Sequence, residues 1–148
     1  TNHLHSGTDI KTGGVEGKPL YAVAVGEIVR IGVIPSGFGR VLYIAHPNGT
    51  TSVYGHMQRF TPEIEESVDI ERHRLKLHRV DLYPKAGTFP VKQGDRPGLS
   101  GNSGRSLRPH LHFEIRASGN QRTPNLSAQM VYDIKSDIAP PIVKLPYV

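Results

Sequence analysis

A chain of 148 residues is the size of one domain and can bury a core without metal or disulfide staples. The absence of cysteine excludes thiolate metal sites, disulfides and cysteine nucleophiles, and no apolar run approaches a membrane span or follows the basic stretch of a signal peptide. The formal charge of +5 favours acidic partners such as wall polymers, nucleic acid or anionic lipid, or is ordinary solubility charge.

The 16 glycines and 12 prolines, set among many short apolar runs, make the pattern mostly β, with one segment that reads as a helix. His5 and Asp9 are four residues apart, an even spacing that puts both on one face of a strand, and Ser6 and Gly7 between them add little bulk. Thr8-Asp9-Ile10 then runs into Lys11-Thr12-Gly13-Gly14, a loop signal. From Pro19 the chain predicts two strands broken at Gly26, over residues 20–25 and 27–34, followed by the turn cluster Pro35-Ser36-Gly37-Phe38-Gly39. Residues 40–45 and 51–54 flank Pro47-Asn48-Gly49, and Asn-Gly between two β-rich runs predicts a hairpin whose second strand ends at His56.

The stretch from Thr61 to Arg79 differs. Thr61-Pro62-Glu63 offers a capping residue, proline at the first helical position and acid in the first turn, while Arg72, Arg74 and Lys76 gather toward the other end; a helical excursion is predicted. Val91 to Asp95 reads as a turn, and Leu99 to Gly104 as a flexible loop of small residues. In Pro109-His110-Leu111-His112-Phe113-Glu114-Ile115, strict alternation predicts a strand with His110, His112 and Glu114 on one face and Leu111, Phe113 and Ile115 buried on the other. A turn through Ser118-Gly119-Asn120 follows, and Ala139 to Val143 reads as a linker or as the first strand of a further unit.

Histidine and aspartate supply the ligand types of a zinc site, and a catalytic site needs three protein ligands with a fourth position open. His5, Asp9, His56, His110 and His112 are the candidates, each beside glycines or within an apolar strand, so the fold must bring both ends of the chain together. Spacing alone does not choose between His110 and His112 as the ligand. His3, His46, His73 and His78 read as structural or solvated histidines. The basic run from Arg72 to Arg79 follows Glu63, Glu65, Glu66, Asp69 and Glu71 and lacks interleaved aromatics, which makes it a solvated helix face rather than a nucleic-acid patch. Gly13-Gly14-Val15-Glu16-Gly17-Lys18 is followed by Pro19 where a phosphate loop needs Ser or Thr, and neither a Gly-x-Ser-x-Gly elbow nor a His-Glu-x-x-His helix is present.

Four motifs in order resemble the lysostaphin-type, or LytM-type, zinc endopeptidases of bacterial peptidoglycan: His5-Ser6-Gly7-Thr8-Asp9-Ile10, the run from Gly37-Phe38-Gly39 to Tyr54-Gly55-His56-Met57, Ser100-Gly101-Asn102-Ser103-Gly104-Arg105-Ser106, and Pro109 to Ile115. The resemblance implies one zinc ion bound by His5, Asp9 and His112, with His56 and His110 as catalytic histidines and Tyr54, Ser103, Arg105 and Ser106 along the substrate groove. It implies a mainly β fold, a twisted antiparallel sheet with a second small sheet, over residues 1–132, and a helical insertion over about residues 58–86. Residues 133–148 are expected to be a linker or the start of a following domain, as in multidomain Bacteroidetes-type members. A chain that begins four residues before a candidate ligand is expected to be part of a longer protein with further domains.

The function so implied is hydrolysis of peptide bonds in peptidoglycan stem or cross-bridge peptides through a zinc-activated water, outside the cytoplasm. The partners expected are peptidoglycan peptides, with no nucleic acid and no transmembrane segment. The alternative is a non-catalytic LytM-like module that binds cell-wall peptide and regulates another wall hydrolase.

Overall fold

A computed structural model describes residues 7–117 and the strand residues 121 and 122. The candidate ligand His5, along with His3, the expected turn at 118–120 and the tail 133–148, lies outside the described residues.

Among the described residues the chain forms β1 (Thr8–Lys11), β2 (Pro19–Leu20), β3 (Gly26–Ile34), β4 (Gly39–Ala45), β5 (Thr51–Phe60), α1 (Pro62–Leu75), β6 (Val80–Leu82), β7 (Pro90–Val91), β8 (Gly98–Ser100), β9 (His110–Ala117) and β10 (Gln121–Arg122). The pairing is antiparallel throughout, in the order β1-β9-β5-β4-β3-β6, with β10 beside β9 and β7 beside β3. In place of a separate second sheet, β2 and β8 form a small branch joined to the main one through β5. The expected mainly β fold with one helix is therefore what the residues build.

Alternation explains the core. Leu111, Phe113 and Ile115 of β9 pack with Ile10, Leu20, Ile28, Ile31, Leu42, Ile44 and Tyr54, all buried, while His112 and Glu114 occupy the opposite face. Asn48 and Gly49 close the β4–β5 hairpin as expected, but β5 continues past His56 to Phe60.

The insertion opens where Pro62 begins α1. Thr61 is extended and its side chain makes no capping bond; the Glu65 carboxylate instead accepts the Phe60 N–H at 2.9 Å. Ile64 and Val68 turn inward, and Lys76, in left-handed conformation, ends the helix short of the expected Arg79. Val80 to Leu82 then adds an edge strand to β3, fixed by a two-pronged Arg30–Asp81 pair at 2.8 and 2.9 Å.

The segment Leu99 to Gly104 is not the loose loop its small residues suggest. Ser100 belongs to β8, Gly101 bridges to His110, and a Cβ on Gly104 would strike the backbone of Gly39. Small residues here serve close backbone approach.

Candidate active site

Strand pairing assembles the site. In the β1–β9 register Asp9 stands opposite His112 and Lys11 opposite His110, so Asp9 and His112, 103 residues apart in sequence, share a face. Asp9 Oδ1 lies 3.1 Å from His112 Nδ1 and 3.5 Å from His110 Nε2. On the other side of β9, Gly55 faces His112 and leaves room for the Phe38 ring, which stacks on the His112 imidazole at 4.7 Å.

His56 enters from β5. Its backbone has φ 59°, an uncommon conformation for a residue with a side chain, and its N–H donates to Phe38 O at 2.7 Å. The register slips on either side of this point against β4 and β8, so the strand bulges and turns the imidazole toward His110, with ring centres 4.8 Å apart.

Both rings are fixed by carbonyl oxygens of the β8–β9 connection. His56 Nδ1–H donates to Ser103 O at 2.8 Å, and His110 Nδ1–H donates to Arg108 O at 2.7 Å. A carbonyl can only accept, so each ring carries its proton on Nδ1 when neutral and presents Nε2 as the acceptor. The connection is itself clamped to the β3–β4 turn: Arg105 N–H donates to Gly37 O at 2.7 Å, and Ser103 Oγ accepts from Arg40 N–H at 3.0 Å and donates to Met57 O.

The electrostatics divide the histidines. Burial pushes His56 down from the ordinary histidine value, aided by its histidine neighbours and opposed by the bond to Ser103. Burial acts the same way on His112, but hydrogen bonds and charge from Asp9 and Glu114 outweigh it and hold the metal-free ring up at about 8.

The donor set suits a divalent cation. Two donors ~2.0–2.1 Å from one tetrahedral zinc stand ~3.3 Å apart, close to the Asp9–His112 separation, and imidazole nitrogen with carboxylate oxygen is a zinc-type pair. Asp9 and His112, two of the three expected ligands, stand at such a separation; His5 falls outside the described residues, and among those described no group of three or more His, Cys, Asp or Glu is gathered for a metal ion.

The groove expectations divide. Tyr54 is fully buried in the core, where its hydroxyl accepts from Val23 N–H at 3.0 Å and from Ser52 Oγ at 3.2 Å and burial raises its pKa to about 12; it cannot line a groove. Tyr54 points to the core because it precedes His56 by two residues across the bulge and faces Phe113 instead. Ser103 is half-buried and acts through its carbonyl on His56, while Arg105 is exposed and Ser106 Oγ lies 3.2 Å from His110 Nδ1. His46, read as structural or solvated, is buried between Val25 O and Ser52 Oγ. Phe38, Gly55 and Arg116 were given no site role from the sequence, and Glu114 was placed only on the histidine face; no spacing rule links Phe38 to a strand paired from so far along the chain.

The chain is similar to known proteins. The model of peptidase family M23 matches residues 3–73. The chain is 29% identical over 120 residues to an uncharacterized metalloprotease of Haemophilus influenzae, covering 81% of this chain and 20% of that protein. It is 30% identical over 124 residues to the DD-carboxypeptidase/endopeptidase Mpg of Neisseria meningitidis, covering 84% of this chain and 23% of that protein. A zinc-containing peptidase from Vibrio cholerae superposes with TM-score 0.56 at 26% identity, over 80% of this chain and 28% of that one. The chain spans about a fifth of the length of these curated relatives. With the aspartate strand and the His-x-His strand paired in register and the expected mainly β architecture around them, the chain resembles peptidase family M23, whose model matches its first half.

Proposed function

We propose that this chain is a zinc-dependent endopeptidase domain that hydrolyses peptide bonds in peptidoglycan stem or cross-bridge peptides outside the cytoplasm. The observation that carries the reading is the 3.1 Å approach of Asp9 Oδ1 to His112 Nδ1 beside two imidazoles that both present Nε2. The endopeptidase name of the Neisseria relative and the zinc of the Vibrio peptidase support it. Zinc held by His5, Asp9 and His112 would supply Lewis acidity toward a peptide carbonyl and an attacking water.

The chain's own residues supply the proton chemistry. Burial keeps His56 uncharged to lower pH than an ordinary histidine, and its Nε2 can accept the proton of the attacking water. The protonated ring can then deliver that proton to the leaving amine nitrogen. Ser103 O and Arg108 O hold both rings in place through this exchange, because Nδ1–H stays bonded while only Nε2 changes. Phe38 covers one face of His112 and keeps water from it.

The positive charge of the chain suits a wall polymer that carries acid groups, and no helix among the described residues is long and apolar enough to cross a membrane. Purified protein should bind about one zinc per chain, release products from cross-linked muropeptides seen by mass spectrometry, and stop when a chelator is added. Unchanged cleavage by His112→Ala would remove the metal mechanism, and binding to sacculi with no product despite added zinc would favour a non-catalytic wall-binding module.

A further inference from the structure

The His112 ring lies between two carboxylates of different character. Asp9 is half-exposed and meets Nδ1, whereas Glu114 is 1% exposed and its Oε1 lies 2.8 Å from Nε2. Glu114 Oε2 accepts from Arg116 Nε–H at 2.9 Å, and the buried Arg116 guanidinium sits 5.2 Å from the centre of the Tyr43 ring. Alternation along β9 places His112, Glu114 and Arg116 on one face, each two residues from the next. Gly7 closes over them: at φ 108°, a Cβ there would stand 2.6 Å from Glu114 Cγ and 2.6 Å from Phe113 O.

We infer that Glu114, held by Arg116, is the positioning residue that keeps the His112 proton on Nε2, so that Nδ1 faces Asp9 as a metal donor and the affinity of the site is set from behind the ring. Both carboxylates only accept, and of the two the buried Glu114 lies nearer, at 2.8 Å against 3.1 Å for the half-exposed Asp9, so the single proton of the neutral ring goes to Nε2. Arg116 only donates, which keeps Glu114 ionised and occupies the oxygen that could otherwise compete for a cation. A carboxylate behind a ligating histidine fixes its tautomer and orientation and raises its basicity.

This inference rests on the zinc reading above, but its readouts do not need turnover. In Glu114→Gln, Arg116 takes the amide oxygen and turns the amide NH2 toward Nε2, which forces the His112 proton onto Nδ1. Zinc affinity, measured by competition with a chromogenic chelator, should fall about 10–100-fold in that variant. Arg116→Lys, which keeps a cation beside Glu114, should lie between it and wild type. Long-range nitrogen–proton correlation on metal-free wild-type protein at alkaline pH, where the ring is neutral, should show His112 protonated at Nε2. A wild-type ring protonated at Nδ1 would overturn the inference whether or not the variant folds, as would a folded Glu114→Gln protein that binds zinc within about twofold of wild type. A protein that shows these tautomer and affinity effects but cuts no muropeptide would keep this inference and lose only the proposed substrate.

Discussion

Asp9 and His112 stand opposite each other in one strand pair and bring Oδ1 and Nδ1 to 3.1 Å, although nearly the whole described chain separates them. Backbone register, rather than a local motif, makes this contact.

Replacing Asp9 by Asn tests that contact with little risk to the fold. The side chain is 48% exposed, so above pH about 8, where metal-free His112 is neutral, unfolding free energy should change by no more than about 0.5 kcal/mol. Zinc affinity should fall by more than about tenfold, because an amide lacks the charge that holds the cation. Chemical denaturation and metal titration on the same preparation separate the two effects.

Proton release reports on His112. Metal-free, the ring keeps its proton up to about 8, whereas a ligating nitrogen must be unprotonated. Zinc binding near neutral pH should therefore release close to one proton from this ring, and affinity should rise with pH and level off above about 8. Calorimetry in buffers of different ionisation enthalpy measures the proton directly.

A different histidine governs part of the acid stability. Burial holds His46 below the ordinary value, so the unfolded chain binds its proton first as pH falls below about 6.5. The contribution is complete above that value and is lost as pH falls toward the folded pKa; His56 acts with the same sign. Metal-free His112 has the opposite sign, stabilising at acid pH and losing that contribution as pH rises through about 8. In His46→Gln the loss of stability between neutral and mildly acid pH should be smaller than in wild type, read from urea unfolding at both pH values.

Gly104 couples backbone to chemistry. Its φ of 74° and its packing against Gly39 leave no room for a Cβ, so Gly104→Ala should lose about 1–3 kcal/mol from strain alone. The displaced connection carries Ser103 O, so kcat should fall with it; an alanine variant with wild-type melting temperature would contradict this packing.

Phe113 supports the ligand strand from beneath. It is fully buried against Tyr54, with ring centres 5.4 Å apart, and Phe113→Ala should cost about 3–5 kcal/mol, measured by denaturant unfolding.

Period-two alternation was enough to place Leu111, Phe113 and Ile115 in the core and His112 and Glu114 away from it, and the Asn48-Gly49 pair was enough to place the hairpin. Pro62 marked the helix start, although Lys76 ended it earlier than the basic run suggested. Tyr54 misled because the bulge at His56 breaks the alternation, so its neighbours in sequence do not share its face. The segment Leu99 to Gly104 misled because small residues signal mobility and close packing alike, and only the partner backbone of Gly39 tells which. Phe38 and Arg116 act through contacts made by pairing distant strands, which one-dimensional patterns do not carry.

Anomalous diffraction at the zinc edge, from crystals of the protein loaded with zinc, tests the central claim most directly. One peak is expected, about 2.0–2.2 Å from an Asp9 oxygen and from His112 Nδ1, with His5 as the third protein donor and His56 and His110 unligated. A crystal in which Asp9 and His112 remain bonded to each other, with zinc absent or seated elsewhere, would contradict the account.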